Sequence, residues 1–293
     1  MSDASSFAHD GASASCSERS RQLHEELAGT APAGLEWALL LEHPRPYAKK
    51  SIDSLPAALS ARVEGLIEGS GAARLQLIHQ PGVELQTPRV FVASTSLRGS
   101  RLASVPYAAL LRPDVTSLAE LMDLGEPLAG PVYLVCVHGR RDACCAKRGV
   151  AFERALALRV PGRVFQSSHV GGHRFAATAV VYPQAIYYGR LEQAEAEPLA
   201  RAHEAGKIGP TQRLRGRASR GAEAQAAEVF ALRRHGSVAP AEVHLTREAS
   251  GEFTFDASGA RARLRLERRS LAQASPKGCG EEPARLSAFV ETS

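Results

Sequence analysis

Three of the five cysteines of this chain fall within the ten residues from Cys136 to Cys145, and two histidines, His169 and His173, follow about two dozen residues later. Thiolates and imidazoles offered together are the donor set of iron–sulfur clusters and of zinc. The chain must therefore bring two separate loops to one point, and that requirement constrains the fold more than any other feature. The cysteine loop reads Val135-Cys136-Val137-His138-Gly139-Arg140-Arg141-Asp142-Ala143-Cys144-Cys145. The histidine loop reads Ser168-His169-Val170-Gly171-Gly172-His173.

Each loop follows a short apolar run. Pro131 to Cys136 and Arg163 to Ser167 read as strands, with a helix from Gly149 to Arg159 between them, closed by Val160-Pro161-Gly162. A hairpin follows, Ala176 to Tyr182 against Ala185 to Arg190, and then a helix from Glu192 to Ala205. Strand, helix, strand, strand, strand, helix is an α/β order that gathers ligands at loop ends.

The remainder is read the same way. Met1 to about Ser15 is small, polar and unpatterned, which predicts a disordered start. Leu35 to Glu42 is a buried strand stopped by His43-Pro44-Arg45-Pro46. Leu55, Leu59, Val63, Leu66 and Ile67 have helical spacing. Arg74 to His79 and Arg89 to Ala93 are strands, and Ser117 to Leu124 is a short helix. These segments make an amino-terminal α/β unit over 16–128, followed by the ligand-bearing unit over 129–212. An extension over 213–293 opens with an Arg/Gly-rich joint. It continues with a helix from Ala222 to Arg234 and a hairpin, Ala241 to Arg247 against Gly251 to Phe255. A third strand runs from Ala262 to Arg268, and Pro276 to Ser293 reads as loose. No internal repeat is evident.

An odd cysteine count in a chain of 293 residues does not suit a secreted disulfide framework. The start lacks a basic segment followed by an apolar one, and no apolar run approaches the ~20 residues that span a bilayer. These features predict a cytoplasmic protein with no membrane partner. The net charge of +5 is carried largely by arginines of the last third, from Arg213 to Arg269. A solvated basic face explains them better than nucleic-acid binding.

Spacing separates the metals. Cys136 stands eight residues from Cys145 and seven from Cys144 by intervening count, wide for a structural zinc knuckle. His169 and His173 are four apart, which suits zinc or iron, and Gly171-Gly172 between them argues for a loop. Two thiolates from one loop and two imidazoles from another make [2Fe–2S] the simplest cluster. Neutral imidazole in place of thiolate lifts potentials from about −400 mV towards roughly −150 to +300 mV in Rieske centres. His138 and Arg174 flank the ligands, with His138 read as a supporting or turn residue. Arg140, Arg141 and Arg174 are either charges that favour the reduced centre or surface charges. Cys16 and Cys279 read as structural or exposed thiols.

These two loops, with Arg174-Phe175-Ala176 after the second, resemble the sucrase/ferredoxin-like family. Tyr187-Tyr188-Gly189-Arg190 is similar to the family's following hairpin. Cys16-Ser17, Gly29-Thr30-Ala31, Trp37 to Glu42 and Gln225-Ala226-Ala227-Glu228 match further stretches. The resemblance implies a thioredoxin-like ferredoxin domain holding a [2Fe–2S] cluster by two cysteines and two histidines. Its cysteine ligands are nine positions apart, which implies Cys136 and Cys145, with His169 and His173, and leaves Cys144 as a spare or alternate ligand. Gly171 and Gly172 would shape the histidine loop. Pro46-Tyr47-Ala48 departs from the family's Pro-Trp-Gly.

The expected function is passage of single electrons between partner proteins, with no residue in a catalytic role. Two alternatives use the same region: a zinc-stabilised binding module on the same four residues, and a thiol redox enzyme on Cys144 and Cys145. Other chemistries fail on residue type. A cysteine phosphatase loop would need arginine where Asp142 stands. The nucleophile elbow Gly-x-Ser-x-Gly and the dinucleotide glycine pattern are absent, and no carboxylate pair suggests glycoside hydrolysis.

Overall fold

A computed structural model describes residues 15–84 and 86–292. The unpatterned start lies outside the described residues except for Ser15. That residue caps the first helix through a capping box with Glu18.

The first half of the chain carries α1 (Cys16–Gln22), β1 (Trp37–Glu42), α2 (Ala57–Glu68), β2 (Ala73–His79), β3 (Val90–Ser94), β4 (Arg101–Val105), α3 (Tyr107–Leu110), α4 (Leu118–Asp123) and β5 (Glu126–Pro127). The second carries β6 (Val132–Cys136), α5 (Ala143–Ala157), β7 (Val164–Ser167), β8 (Ala179–Tyr182), β9 (Ile186–Tyr188), α6 (Ala196–Glu204) and β10 (Leu214–Arg217). The tail adds α7 (Ala222–His235) and β11 (His244–Ala249), β12 (Glu252–Ala257), β13 (Ala260–Ser270), β14 (Ser275–Pro276), β15 (Pro283–Ala284) and β16 (Ser287–Thr292). The protein is mixed α/β.

One sheet of ten strands runs through both halves in the order β10-β9-β8-β6-β7-β2-β1-β3-β4-β5. Within it the same arrangement occurs twice. β1 lies parallel to β2 and antiparallel to β3, which pairs with β4. β6 lies parallel to β7 and antiparallel to β8, which pairs with β9. The halves join edge to edge through an antiparallel pairing of Ile78 with Ser167 and His79 with Gln166. The repeat is one of topology carried by unlike residues, which is why the sequence does not display it.

Alternation along β6 decides which side chains go where. Tyr133 and Val135 pack with Phe152 and Leu156 of α5, whereas Val132, Leu134 and Cys136 face the opposite core. α7 is held between the large sheet and a four-stranded sheet, β11-β12-β13-β16. Among the described residues no helix is long and apolar enough to cross a membrane.

Two readings of the sequence are corrected here. The helix expected from Gly149 begins at Ala143, because Asp142 caps it: its Oδ1 accepts the Cys144 N–H at 2.9 Å. Cys144 and Cys145 thus sit on the first helical turn and not in a loop. The segment read as loose from Pro276 contains β16, whose pairing with β13 runs from Ser287↔Ser270 to Thr292↔Arg265.

Candidate metal centre

Parallel pairing of β6 with β7 sets Cys136 opposite Ser167, so both strands end at the same edge of the sheet. Cys136 is the last residue of β6, and the histidine loop leaves β7 just beyond it. The first turn of α5 folds back over this edge and delivers Cys145. As a result His169 Nδ1 lies 3.8 Å from Cys136 Sγ and 3.9 Å from Cys145 Sγ. The donor atoms of these three residues all lie within 4.8 Å of one another, and both sulfurs are buried.

His173 stands beside this trio. It opens a short 3-10 turn, and its ring centroid is 5.1 Å from that of His169. Its Nε2 lies 3.9 Å from Asp142 Oδ2. Both ring nitrogens of His173 are buried without a hydrogen-bond partner. A buried imidazole with both nitrogens unsatisfied costs free energy, and a metal ligand bond is one way to offset it.

The histidine loop is held from behind. His138 Nδ1 accepts the His169 N–H at 3.1 Å, and its ring meets Tyr47 edge-on at 5.6 Å. Arg74 Nη2 donates to the His169 carbonyl at 2.6 Å. Arg215, fully buried on β10, donates to the Gly171 carbonyl at 2.8 Å and to both oxygens of Thr30. Gly172 has φ +74°, and a Cβ there would stand 2.5 Å from Arg215 Nη2. The glycine is required by the guanidinium beneath the loop. Neither Arg74 nor Arg215 stands out in the sequence, because one arginine among many carries no mark of the carbonyl it will meet. Tyr47 donates to the Gln166 carbonyl at 3.2 Å.

Proton sharing distinguishes the two thiols. A hydrogen bond from Cys145, with His169 close by, holds Cys136 well below the ordinary thiol range against its burial. The same bond, with burial, pushes Cys145 up. Burial holds His173 and His138 below the usual imidazole value, which keeps both rings neutral and able to accept a metal.

Cys144 faces elsewhere. Its sulfur is 3.5 Å from Cys16 and 3.3 Å from Cys279, and the sulfur of Cys279 is 3.5 Å from that of Cys16. A hydrogen bond from Cys16 lowers Cys144 to about 5. Arg174 binds Glu25 at 2.9 Å and covers the Phe175 ring, while Arg140 and Arg141 are exposed.

Strand, helix, strand, hairpin and helix, with thiols and imidazoles converging at the strand ends, define an α/β unit carrying a candidate metal centre. The sequence profile named sucrase/ferredoxin-like matches residues 27–216, more than half of the chain, and the chain belongs to that family. No curated protein and no solved structure matches it.

Proposed function

We propose that Cys136, Cys145, His169 and His173 hold a [2Fe–2S] cluster and that the protein passes single electrons between redox partner proteins. The observation that supports this most is the pairing of two buried thiols and His169 within 4.8 Å with a neighbouring His173 whose ring nitrogens are both unpartnered. Two thiolates and two neutral imidazoles are the charge and donor count of a mixed-ligand diiron centre. Such a group, when bound, supplies one-electron transfer at a potential above that of an all-thiolate cluster.

The chain's own residues set the conditions. Cys136 is poised to ionise, and burial keeps His173 neutral. His138, Arg74 and Arg215 fix the backbone from His169 to Gly171, so the His169 end of the loop is positioned before any metal arrives. Five free cysteines suit a reducing compartment, and we place the protein in the cytoplasm.

One observation favours a second reading, a zinc-stabilised binding module. Cys136, Cys145 and His169 already close on a single point, as ligands of one ion would. A vicinal Cys144–Cys145 redox pair has less support, since each sulfur is engaged with different partners. Purified full-length protein decides between them. About two irons and two sulfides per chain, a visible charge-transfer spectrum and a reduced-state paramagnetic signal support the electron carrier. Colourless protein whose Cys136→Ser variant loses zinc would establish the binding module instead.

A further inference from the structure

We propose a second metal site, distinct from the first, in which Cys16, Cys144, Cys279 and Asp142 bind one zinc ion. The four residues offer donor atoms that all lie within 4.8 Å of one another. The three sulfurs form a triangle with edges of 3.3, 3.5 and 3.5 Å, and the Asp142 carboxylate lies 3.7–3.8 Å from Cys16 Sγ. A tetrahedral zinc with bonds of about 2.3 Å to sulfur spaces its sulfurs by about 3.8 Å. The sulfurs need move outward only by a few tenths of an ångström to meet that spacing.

The donor set selects the ion. Three thiolates with one carboxylate suit borderline-soft zinc, whereas copper(I) prefers thiolates without a hard oxygen. The carboxylate is already oriented: Asp142 accepts the Cys144 N–H at 2.9 Å and the Cys279 N–H at 2.8 Å. Cys144 lies on the first turn of a fifteen-residue helix, where backbone N–H groups favour a thiolate. Cys279 is exposed and provides the entry path, while the other three ligands are buried. With four protein ligands the site is closed and structural. On binding, the thiols release their protons to solvent and no electron is exchanged.

The site joins parts of the chain that are far apart. Cys16 and Cys279 are 263 positions apart, and both fall outside the stretch matched by the family profile. A metal clip over so long a loop removes much of the freedom of the unfolded chain. It also pins the segment around Cys279 beside the candidate cluster: a Cβ at Gly278 would stand 2.6 Å from His173 Nε2.

The test is elemental analysis and zinc-edge X-ray absorption on full-length protein grown with iron and zinc. Expected are about one zinc per chain with a sulfur-rich shell, and Cys144→Ser and Cys279→Ser variants that hold zinc more than about tenfold more weakly against a chelator. Cys136→Ser should keep this zinc even where it loses iron, so the two centres fail separately. The exposed Cys279 makes its variant the least disruptive to folding. Cobalt added to the wild-type chain gives a second readout, thiolate-to-cobalt charge transfer that Cys279→Ser weakens. Three results would each overturn the site: zinc below about one-tenth per chain after titration, zinc retained unchanged in both serine variants, or a native mass two units low from a disulfide within the trio.

Discussion

Gly149, in the interior of α5, lies so close to the end of β6 that a Cβ there would stand 2.1 Å from the Cys136 carbonyl oxygen. This contact sets the distance between helix and strand, and therefore between Cys145 on the helix and Cys136 on the strand. Gly149→Ala should push α5 outward, cost about 1–3 kcal/mol by overpacking, and lower the metal bound per chain. Chemical denaturation with metal analysis checks this. Wild-type stability together with full metal content would show that the contact does not set the site.

Gly172 and Arg215 should be coupled. Gly172→Ala places a methyl group against the guanidinium at a positive φ, and Arg215→Ala leaves the Gly171 carbonyl without its donor. Each should destabilise by about 1–3 kcal/mol. Because the clash needs both side chains, the double variant should cost less than the sum. A thermodynamic cycle that comes out additive would remove Arg215 as the reason for the glycine.

His169→Cys and His173→Cys address the proposed ligands. A thiolate adds negative charge where a neutral ring stood, so either variant should keep the cluster's colour and lower its potential. Protein-film voltammetry reads the shift directly. Potentials unchanged in both variants would argue against imidazole ligation.

Stability should fall in mild acid for a reason remote from the metal centre. His203 is buried with its Nε2 2.7 Å from the Tyr188 hydroxyl, and burial lowers it from 6.5 to about 4. Between those values the unfolded chain binds a proton that the folded one refuses. Stability is therefore complete above pH ~6.5 and declines as pH falls towards ~4, by roughly 3 kcal/mol in all from this residue. Comparing denaturation midpoints of wild type and His203→Gln across this window tests it, since the variant should lack that component of the slope.

Glu228 on α7, itself buried, lies between the buried Arg217 guanidinium, 2.5 Å away, and that of the partly buried Arg220, 2.8 Å away. Glu228→Gln leaves both cations without a counter-charge and should cost about 3–5 kcal/mol. Thermal unfolding measures it, and a midpoint near wild type would mean that water already neutralises the cluster.

Much of this architecture is legible in sequence. The apolar runs that became β1, β2, β3, β6 and β7, and the helical spacing that became α2, report the local periodicity by which a chain buries one face. The helix stop at Val160-Pro161-Gly162 is a matter of local backbone chemistry and was equally visible. β4 was missed because Arg101 to Val105 is a short segment opened by an exposed charge. The start of α5 was missed because its cap, Asp142, follows two arginines within a segment that reads as a ligand loop.

By itself the sequence determined the donor types, the strands that deliver them and the glycines between the histidines, since each depends on neighbours along the chain. Only the tertiary structure decided that Cys145 turns to Cys136 while Cys144 turns to Cys16 and Cys279, and that Arg215 underlies the histidine loop. Adjacent residues on a helix point in directions about 100° apart, so which partner each meets is set by the packing of α5, α1 and the tail around it. Contacts between residues hundreds of positions apart leave no periodic mark, because they arise from how finished elements pack.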